Sequence, residues 1–154
     1  MHSSGKDFEE SLQAVTEFLG MNLVELPDWN CCGASATHVT DPDVSYELSL
    51  RNLVRAEEIA KRDVVTACAA CYAHLKHSEH EARKRGSGKM GSFKGDIRAR
   101  NLLDVIHEDI GLDTIEKNVK NKLEGIRAVG YYGCLMVRPP EICEMDDAED
   151  PVFL

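Results

Sequence analysis

The first pattern along the chain is a set of apolar residues that recur at intervals of three and four. They are Phe8, Leu12, Val15, Phe18 and Leu19. This spacing predicts an amphipathic helix over residues 7–19, with Gly20 as its C-terminal stop. The next apolar residues alternate with polar ones in "NLVEL", residues 22–26, which predicts a short strand that Pro27 ends.

The middle of the chain changes between helical and strand patterns. From Pro42 to about Arg62 the apolar spacing is again helical, and Asp41 or Asp43 is the expected N-terminal cap. The β-branched run "DVVTA", residues 63–67, is short enough to predict a buried strand. A long segment without breakers follows, and it predicts a helix that begins near Cys68.

The last third of the chain begins with a glycine-rich loop at residues 86–95. Two helical stretches are expected after it, at 96–109 and 112–123. The segment "IRAVGYYGC" then predicts a third strand over residues 127–132.

Strands that alternate with helices predict an α/β fold with a short parallel sheet flanked by helices. In such sheets ligands bind beyond the carboxyl ends of the strands. Each of the three predicted strands is followed at once by cysteine, in the order Cys31 and Cys32, Cys68, and Cys134. We therefore expect these cysteines to gather at one edge of the sheet.

Composition and charge narrow the class of protein. The 154 residues are 43% hydrophobic and 29% charged, as expected for one globular domain. No apolar run reaches the length of a membrane span or of a signal segment, which predicts a cytoplasmic protein. A net charge of −9 repels phosphate backbones and excludes nucleic-acid binding as the main task. In the cytoplasm, six cysteines indicate metal ligands or redox groups rather than structural disulfides.

Four of the cysteines form two close pairs. Cys31 and Cys32 are adjacent, Cys68 and Cys71 have two residues between them, and 35 residues separate the pairs. A Cys-x-x-Cys at the start of a helix is one form of redox dithiol, because the helix dipole lowers the thiol pKa there. The pattern therefore allows a dithiol oxidoreductase that uses Cys68 and Cys71.

Metal binding is the other chemistry that these pairs allow. The four thiolates, or thiolates with His74 and His77, could hold structural zinc, and thiolates alone hold iron–sulfur clusters. Adjacent side chains such as those of Cys31 and Cys32 usually point apart and do not chelate one small ion together. A multi-iron cluster accepts sulfurs at different irons, so the residues favour iron–sulfur and leave zinc, a dithiol or a buried core thiol as alternatives.

Histidines accompany both cysteine pairs. His74, His77 and His80 step by three along one predicted helix, so that two can share a face while all three drift apart. Most of them are expected on the polar face, with His74 as the one that could lie near a cofactor. His38 follows the adjacent pair closely and is the better candidate for a place in the site.

The segments "DWNCCGASATH", "ACAACY" and "YYGCLMVRPPE" resemble the B-type subunit of CoB–CoM heterodisulfide reductase and its homologues, which are proteins with cysteine-rich CCG domains. The resemblance covers nearly the whole chain, and the Cys-Cys-Gly and Cys-x-x-Cys at this spacing are far more specific than a lone Cys-x-x-Cys.

The resemblance implies an iron–sulfur catalytic subunit that reduces a disulfide such as CoM-S-S-CoB to two thiols. It implies a non-cubane 4Fe–4S cluster with Cys31, Cys32, Cys68 and Cys71 as ligands, and Cys134 as the leading cysteine of a second CCG unit. It also implies two partners in the complex, a ferredoxin-like iron–sulfur subunit and a flavin-containing subunit that deliver electrons.

The chain departs from the family pattern at both ends. The family's first ligand, in a Gly-Cys, has no counterpart before "HSSGKDFEES", and the second Cys-Cys pair would lie beyond "DPVFL". Residues 1–125 are therefore expected to form a first CCG domain, and residues 126–154 the start of an incomplete second one. By this expectation the chain is a piece of a longer protein and is inactive alone. Cys143 has no place in the family pattern.

Overall fold

A computed structural model gives the tertiary structure and describes residues 5–59, 62–85, 88–89, 91–145 and 147–152. Helices dominate it. In chain order the elements are α1 (Lys6–Phe18), α2 (Thr37–Thr40), α3 (Pro42–Ile59), β1 (Val64–Thr66), α4 (Ala69–Arg85), β2 (Ala99–Asn101), α5 (Leu102–Val105), α6 (Leu112–Asn118) and α7 (Pro140–Cys143), with a π-helical turn at Ile106–Ile110 and a 3-10 turn at Cys134–Met136. Among the described residues no helix has both the length and the apolar character that a membrane span needs.

The predicted α/β class is confirmed. β1 and β2 run parallel, with Val64 opposite Ala99 and Thr66 opposite Asn101, and helices flank the pair. The core lies where α4 packs against α3 and β2. Its buried side chains are Leu50, Leu53, Val54, Ala56, Leu75, Ala82, Phe93, Ile97 and Ala99.

Three of the predicted helices are confirmed with their boundaries shifted by a few residues. α1 ends one residue before Leu19, and Gly20 follows with φ = +74°, the left-handed conformation that favours glycine after a helix. Asp41 caps α3 because its carboxylate Oδ1 accepts the Val44 N–H at 3.1 Å. The helix predicted from near Cys68 is α4, and β1 lies within the predicted strand 63–67.

Two predicted strands were wrong. Residues 22–26 and 127–132 carry no strand, and apolar side chains in both are exposed, with Val24 exposed by 76% and Val129 by 93%. A strand forms only against a neighbour, and neither segment has one among the described residues. The helix predicted at 96–109 was wrong at its start, where residues 99–101 form β2. The predicted loop 86–95 lies partly outside the described residues, at 86, 87 and 90.

The cysteines consequently reach their positions by a different route from the one predicted. Within the described ranges Cys68 alone follows a strand, β1, while Cys31 and Cys32 lie in a loop and Cys134 begins the 3-10 turn. The sheet edge therefore places one of the two cysteine pairs, and contacts with α3 place the other.

Candidate functional site: the cysteine cluster

The first cysteine pair lies in residues 27–36, here called the cysteine-pair loop, which runs along α3. Gly33 turns the loop with φ = +80°, and a Cβ there would lie 2.8 Å from Ser45 Oγ and 3.1 Å from Ser45 Cα. Real Cβ atoms do not approach a neighbour so closely, and other residues rarely adopt this φ. The glycine after the two cysteines is therefore required both by the turn and by the closeness of α3.

The second pair lies at the start of α4. Cys68 precedes the helix: its N–H donates to Thr66 Oγ1 at 3.3 Å, and its carbonyl accepts the Tyr72 N–H at 2.9 Å. Cys71 lies in the first turn of the helix. The second pair therefore brackets the start of α4.

The two pairs meet, although 39 positions separate Cys32 from Cys71. Their Sγ atoms lie 3.0 Å apart in a thiol–thiol hydrogen bond. Cys32 is buried and Cys71 half-buried, whereas Cys31 and Cys68 are exposed. These four thiols, here called the thiol cluster, combine two sulfurs against the protein interior with two that face solvent.

Hydrogen bonding gives Cys32 and Cys71, here called the inner pair, different protonation states. The Cys71 thiol donates to Cys32 and lowers the pKa of Cys32 to about 6. Burial raises the pKa of Cys32 and so opposes this effect. The backbone N–H groups of Ala34 and Cys32 and the Cys31 thiol lower the pKa further. The pKa of Cys71 is raised well above its ordinary value, because its proton is held in the bond to Cys32 and because the site is buried. At neutral pH the pair therefore carries one thiolate and one proton.

The fold brings His38 and His74 together, and their spacing along the chain did not predict this contact. Their ring centroids lie 5.4 Å apart at an interplanar angle of 77°. His74 Nδ1 lies 3.2 Å from Ser45 Oγ, and burial lowers the pKa of His74. With His77 they line a cavity of about 380 Å³ between α3, α4 and residues 135–143. None of the four thiols lines this cavity, so neither histidine is shown to act on them.

The two remaining cysteines differ in their surroundings. Cys134 is exposed at the start of the 3-10 turn. Cys143 is 1% exposed, and its Sγ donates to the Arg138 carbonyl at 3.3 Å, as a core thiol does.

The thiol cluster fits a group that contains several metal atoms better than a single ion. Among the described residues no three His, Cys, Asp or Glu side chains are arranged to hold one metal ion, so no observation favours the zinc alternative. Four thiols from the cysteine-pair loop and the start of α4, two of them inside and two outside, match the all-thiolate ligation of iron–sulfur clusters, in which sulfurs bind different irons. The residues present therefore fit an iron–sulfur cluster by donor type and by grouping.

Sequence reasoning missed the polar face of α3. Ser45, Ser49 and Asn52 are buried and hydrogen-bonded to the cysteine-pair loop. Their spacing of four and three residues, beside buried Leu50 and Leu53, was a signal that could have found them, because polar residues that share a helix face with core residues need partners inside the protein.

Comparisons with known proteins agree with the site. Residues 1–76 match the family model described as a cysteine-rich domain, CCG. The chain is 28% identical over 94% of its length to a protein of Archaeoglobus profundus that is named as similar to the B-type subunit of heterodisulfide reductase, and covers 52% of that protein. It is 24% identical over 94% of its length to the B-type subunit of the ferredoxin:CoB–CoM heterodisulfide reductase of Methanosarcina mazei, and covers 51% of it.

A third relative has a different name. The chain is 26% identical over 93% of its length to the 8-methylmenaquinol:fumarate reductase membrane anchor subunit of Wolinella succinogenes, and covers 52% of that protein. The chain thus spans about half the length of all three relatives. The resemblance found in the cysteine motifs is confirmed, at the level of the cysteine-rich domain and of homology to the B-type subunits of heterodisulfide reductases.

Proposed function

We propose that this chain, whose residues 1–76 match the family model of cysteine-rich CCG domains, is an iron–sulfur subunit of a heterodisulfide-reductase-like oxidoreductase. Cys31, Cys32, Cys68 and Cys71 hold the cluster, which by family resemblance is a non-cubane 4Fe–4S cluster. The observation that carries the proposal is the meeting of the two cysteine pairs, with Cys32 and Cys71 Sγ atoms 3.0 Å apart.

The chain's own residues prepare thiolates for this task. An iron–sulfur cluster, when bound, supplies reversible one-electron transfer. The hydrogen bond from Cys71 lowers the pKa of Cys32 and so favours its thiolate, which leaves the proton of Cys71 as the one that metal binding has to displace from this pair. Burial of Cys32 excludes water from its sulfur, and exposure of Cys31 and Cys68 leaves the outer side of the cluster open to a small substrate.

The reaction class follows from the names of the relatives. One of them is named as a subunit of a CoB–CoM heterodisulfide reductase, and another as similar to the B-type subunit of heterodisulfide reductase. The reaction that we propose is the reduction of a disulfide such as CoM-S-S-CoB by two electrons and two protons to two thiols. The electrons come from partner subunits of the same complex, a ferredoxin-like iron–sulfur protein and beyond it a flavin protein.

Cys134 is proposed as the first ligand of a second CCG unit that begins near residue 126. The first unit then occupies residues 1–125, and the reaction needs both units. On this proposal the chain by itself reduces no disulfide catalytically.

The test is metal analysis of protein purified strictly without oxygen. We expect iron and acid-labile sulfide in equal amounts, about four of each per chain at full occupancy. Cys31→Ala should lose both, whereas Cys143→Ala, which removes a thiol outside the thiol cluster, should keep both. Zinc in place of iron, or iron that Cys31→Ala leaves unchanged, would overturn the proposal.

The thiol–thiol contact favours one second candidate, a cluster-free dithiol reductase. The pair in contact is Cys32 and Cys71, not Cys68 and Cys71. Cys32 would attack a disulfide and release one thiolate, which takes the Cys71 proton. Cys71 would then attack the Cys32 sulfur and release the second thiolate, which takes a proton from water. The two cysteines supply both electrons and end as a disulfide. Metal-free protein should then release thiol from a small disulfide, and Cys71→Ser but not Cys68→Ser should stop it after the first thiol.

A further inference from the structure

Three polar residues of α3 form one buried row beneath the cysteine-pair loop. Ser45, Ser49 and Asn52 follow one another at intervals of four and three, which places them on one face of the helix. Their exposed fractions are 4%, 0% and 7%. The row, here called the α3 row, lies beside core residues Leu50 and Leu53.

Each member of the α3 row bonds a different backbone group of the loop. Ser45 Oγ donates to the Gly33 carbonyl at 3.1 Å, and Ser49 Oγ donates to the Cys32 carbonyl at 2.5 Å. Asn52 bonds Asn30 twice: its Oδ1 accepts the Asn30 N–H at 3.0 Å, and its Nδ2 donates to the Asn30 carbonyl at 2.8 Å. The bonds thus bracket both cysteines.

These bonds decide the loop conformation because the loop has no helix or strand of its own from residue 27 to residue 36. Burying a hydroxyl or amide group without a hydrogen bond costs free energy. The helix and the loop therefore supply hydrogen-bond partners for each other's buried polar groups. The carbonyls of Cys32 and Gly33 are turned towards α3, where Ser49 and Ser45 bond them.

The same row reaches the second cysteine pair. The Ser45 hydroxyl proton is given to Gly33, so His74 Nδ1 donates to Ser45 Oγ across the 3.2 Å that separates them. His74 lies three residues after Cys71 on α4. α3 is therefore hydrogen-bonded to the cysteine-pair loop and, through His74, to the helix that carries Cys71.

We propose that Ser45, Ser49 and Asn52 are positioning residues that fix Cys31 and Cys32 in the arrangement the metal group requires. The proposal rests on the proposed function in taking these cysteines as ligands. It assigns to α3, which supplies no ligand itself, the task of keeping the loop in its binding conformation before the metal arrives.

The test uses Ser49→Ala and Asn52→Ala in the full chain, with Ser78→Ala as the matched control. Ser78 is 2% exposed and bonds the Tyr46 carbonyl at 3.4 Å, away from the loop. In metal-free protein, amide hydrogen exchange at residues 30–34 should become at least about fivefold faster in the two loop variants, the size expected for loss of one buried hydrogen bond. Ser78→Ala should leave it unchanged.

Iron content after anaerobic reconstitution is the second readout. It should fall at least about threefold in Ser49→Ala and Asn52→Ala and stay at the wild-type level in Ser78→Ala, because a loop that is not held in place binds the metal less tightly. Asn52→Asp keeps the acceptor for the Asn30 N–H and should recover part of the exchange protection.

The outcomes separate the two proposals. If wild-type protein takes up no iron, the proposed function fails, and the exchange comparison still tests whether the α3 row holds the loop. If iron binds and the loop variants match Ser78→Ala in both exchange and iron content, the positioning role is wrong while the proposed function stands.

Discussion

At Gly33 the backbone turns into the left-handed region while its Cα lies against α3. Two separate constraints therefore act on one residue, the value of φ and the lack of room for a Cβ. Gly20 meets only the first, since its φ is +74° and nothing lies within 4 Å of the place a Cβ would take. A comparison of Gly20 with Gly33 therefore separates the cost of the left-handed backbone from the cost of the missing space for a Cβ.

Gly20→Ala should lower the free energy of unfolding by about 1 kcal/mol, the cost of a left-handed backbone for alanine. Gly33→Ala should cost about 2 kcal/mol more, because the added methyl group forces the loop away from Ser45. Urea unfolding of the metal-free proteins measures both. Equal losses would show that the closeness of α3 has no energetic weight.

Cys32 and Cys71 show how one hydrogen bond determines the chemistry of a residue. In metal-free protein, alkylation of Cys32 by iodoacetamide should follow its thiolate, with a rate that falls as the pH drops through about 6. Peptide mass spectrometry can follow this residue alone.

Cys71→Ala removes the donor that is the largest cause of the lowered pKa. The midpoint for Cys32 alkylation should then move upward, towards the ordinary value for a thiol. An unchanged midpoint would mean that the contact with Cys71 does not lower the pKa of Cys32.

Among the elements, α4 connects the thiol cluster to the short helix α7. Cys71 lies in its first turn, while the Tyr72 hydroxyl donates to the Cys143 carbonyl at 2.6 Å and Lys76 Nζ donates to Glu144 at 2.5 Å. Residues on successive turns of one helix therefore hold both a cysteine of the cluster and the short helix α7.

Tyr72→Phe removes the hydroxyl and leaves the Cys143 carbonyl buried without its donor. The free energy of unfolding should fall by about 1 kcal/mol or more, the size expected for a buried hydrogen bond. Tyr132→Phe is the control, since its hydroxyl bonds the Glu149 carbonyl at 2.8 Å in an exposed position; its cost should stay within about 0.5 kcal/mol. Chemical denaturation of both variants decides the comparison.

The elements also show which sequence patterns were sufficient to predict the helices and strands. Helices α1, α3 and α4 were predictable because their spacing of apolar residues and their caps are local signals. β2 was missed, since residues 99–101 have no strand pattern of their own; they pair with β1, and the Ala99 N–H donates to buried Glu79 at 2.9 Å. Residues 22–26 and 127–132 have the pattern but lack a partner among the described residues.

Over the whole molecule, the contact between Cys32 and Cys71 closes a long loop through the core. Oxidation of metal-free protein with diamide, which takes up two electrons and two protons from the thiols, should link these two residues. Because 39 positions separate them, the crosslink should raise the free energy of unfolding by about 3 to 4 kcal/mol. Peptide mapping identifies the link, and a Cys68–Cys71 link in its place would contradict the geometry of the cluster.

The amino-acid pattern alone was enough to predict the main helices, the α/β class, the two cysteine pairs and their family, because each depends on spacing along the chain. Tertiary packing was needed to bring Cys32 to Cys71, His74 to Ser45, and the α3 row to the cysteine-pair loop. These contacts join residues 12 to 39 positions apart. No local pattern contains them, since the packing of α3 against α4 sets the distances that each side chain must span.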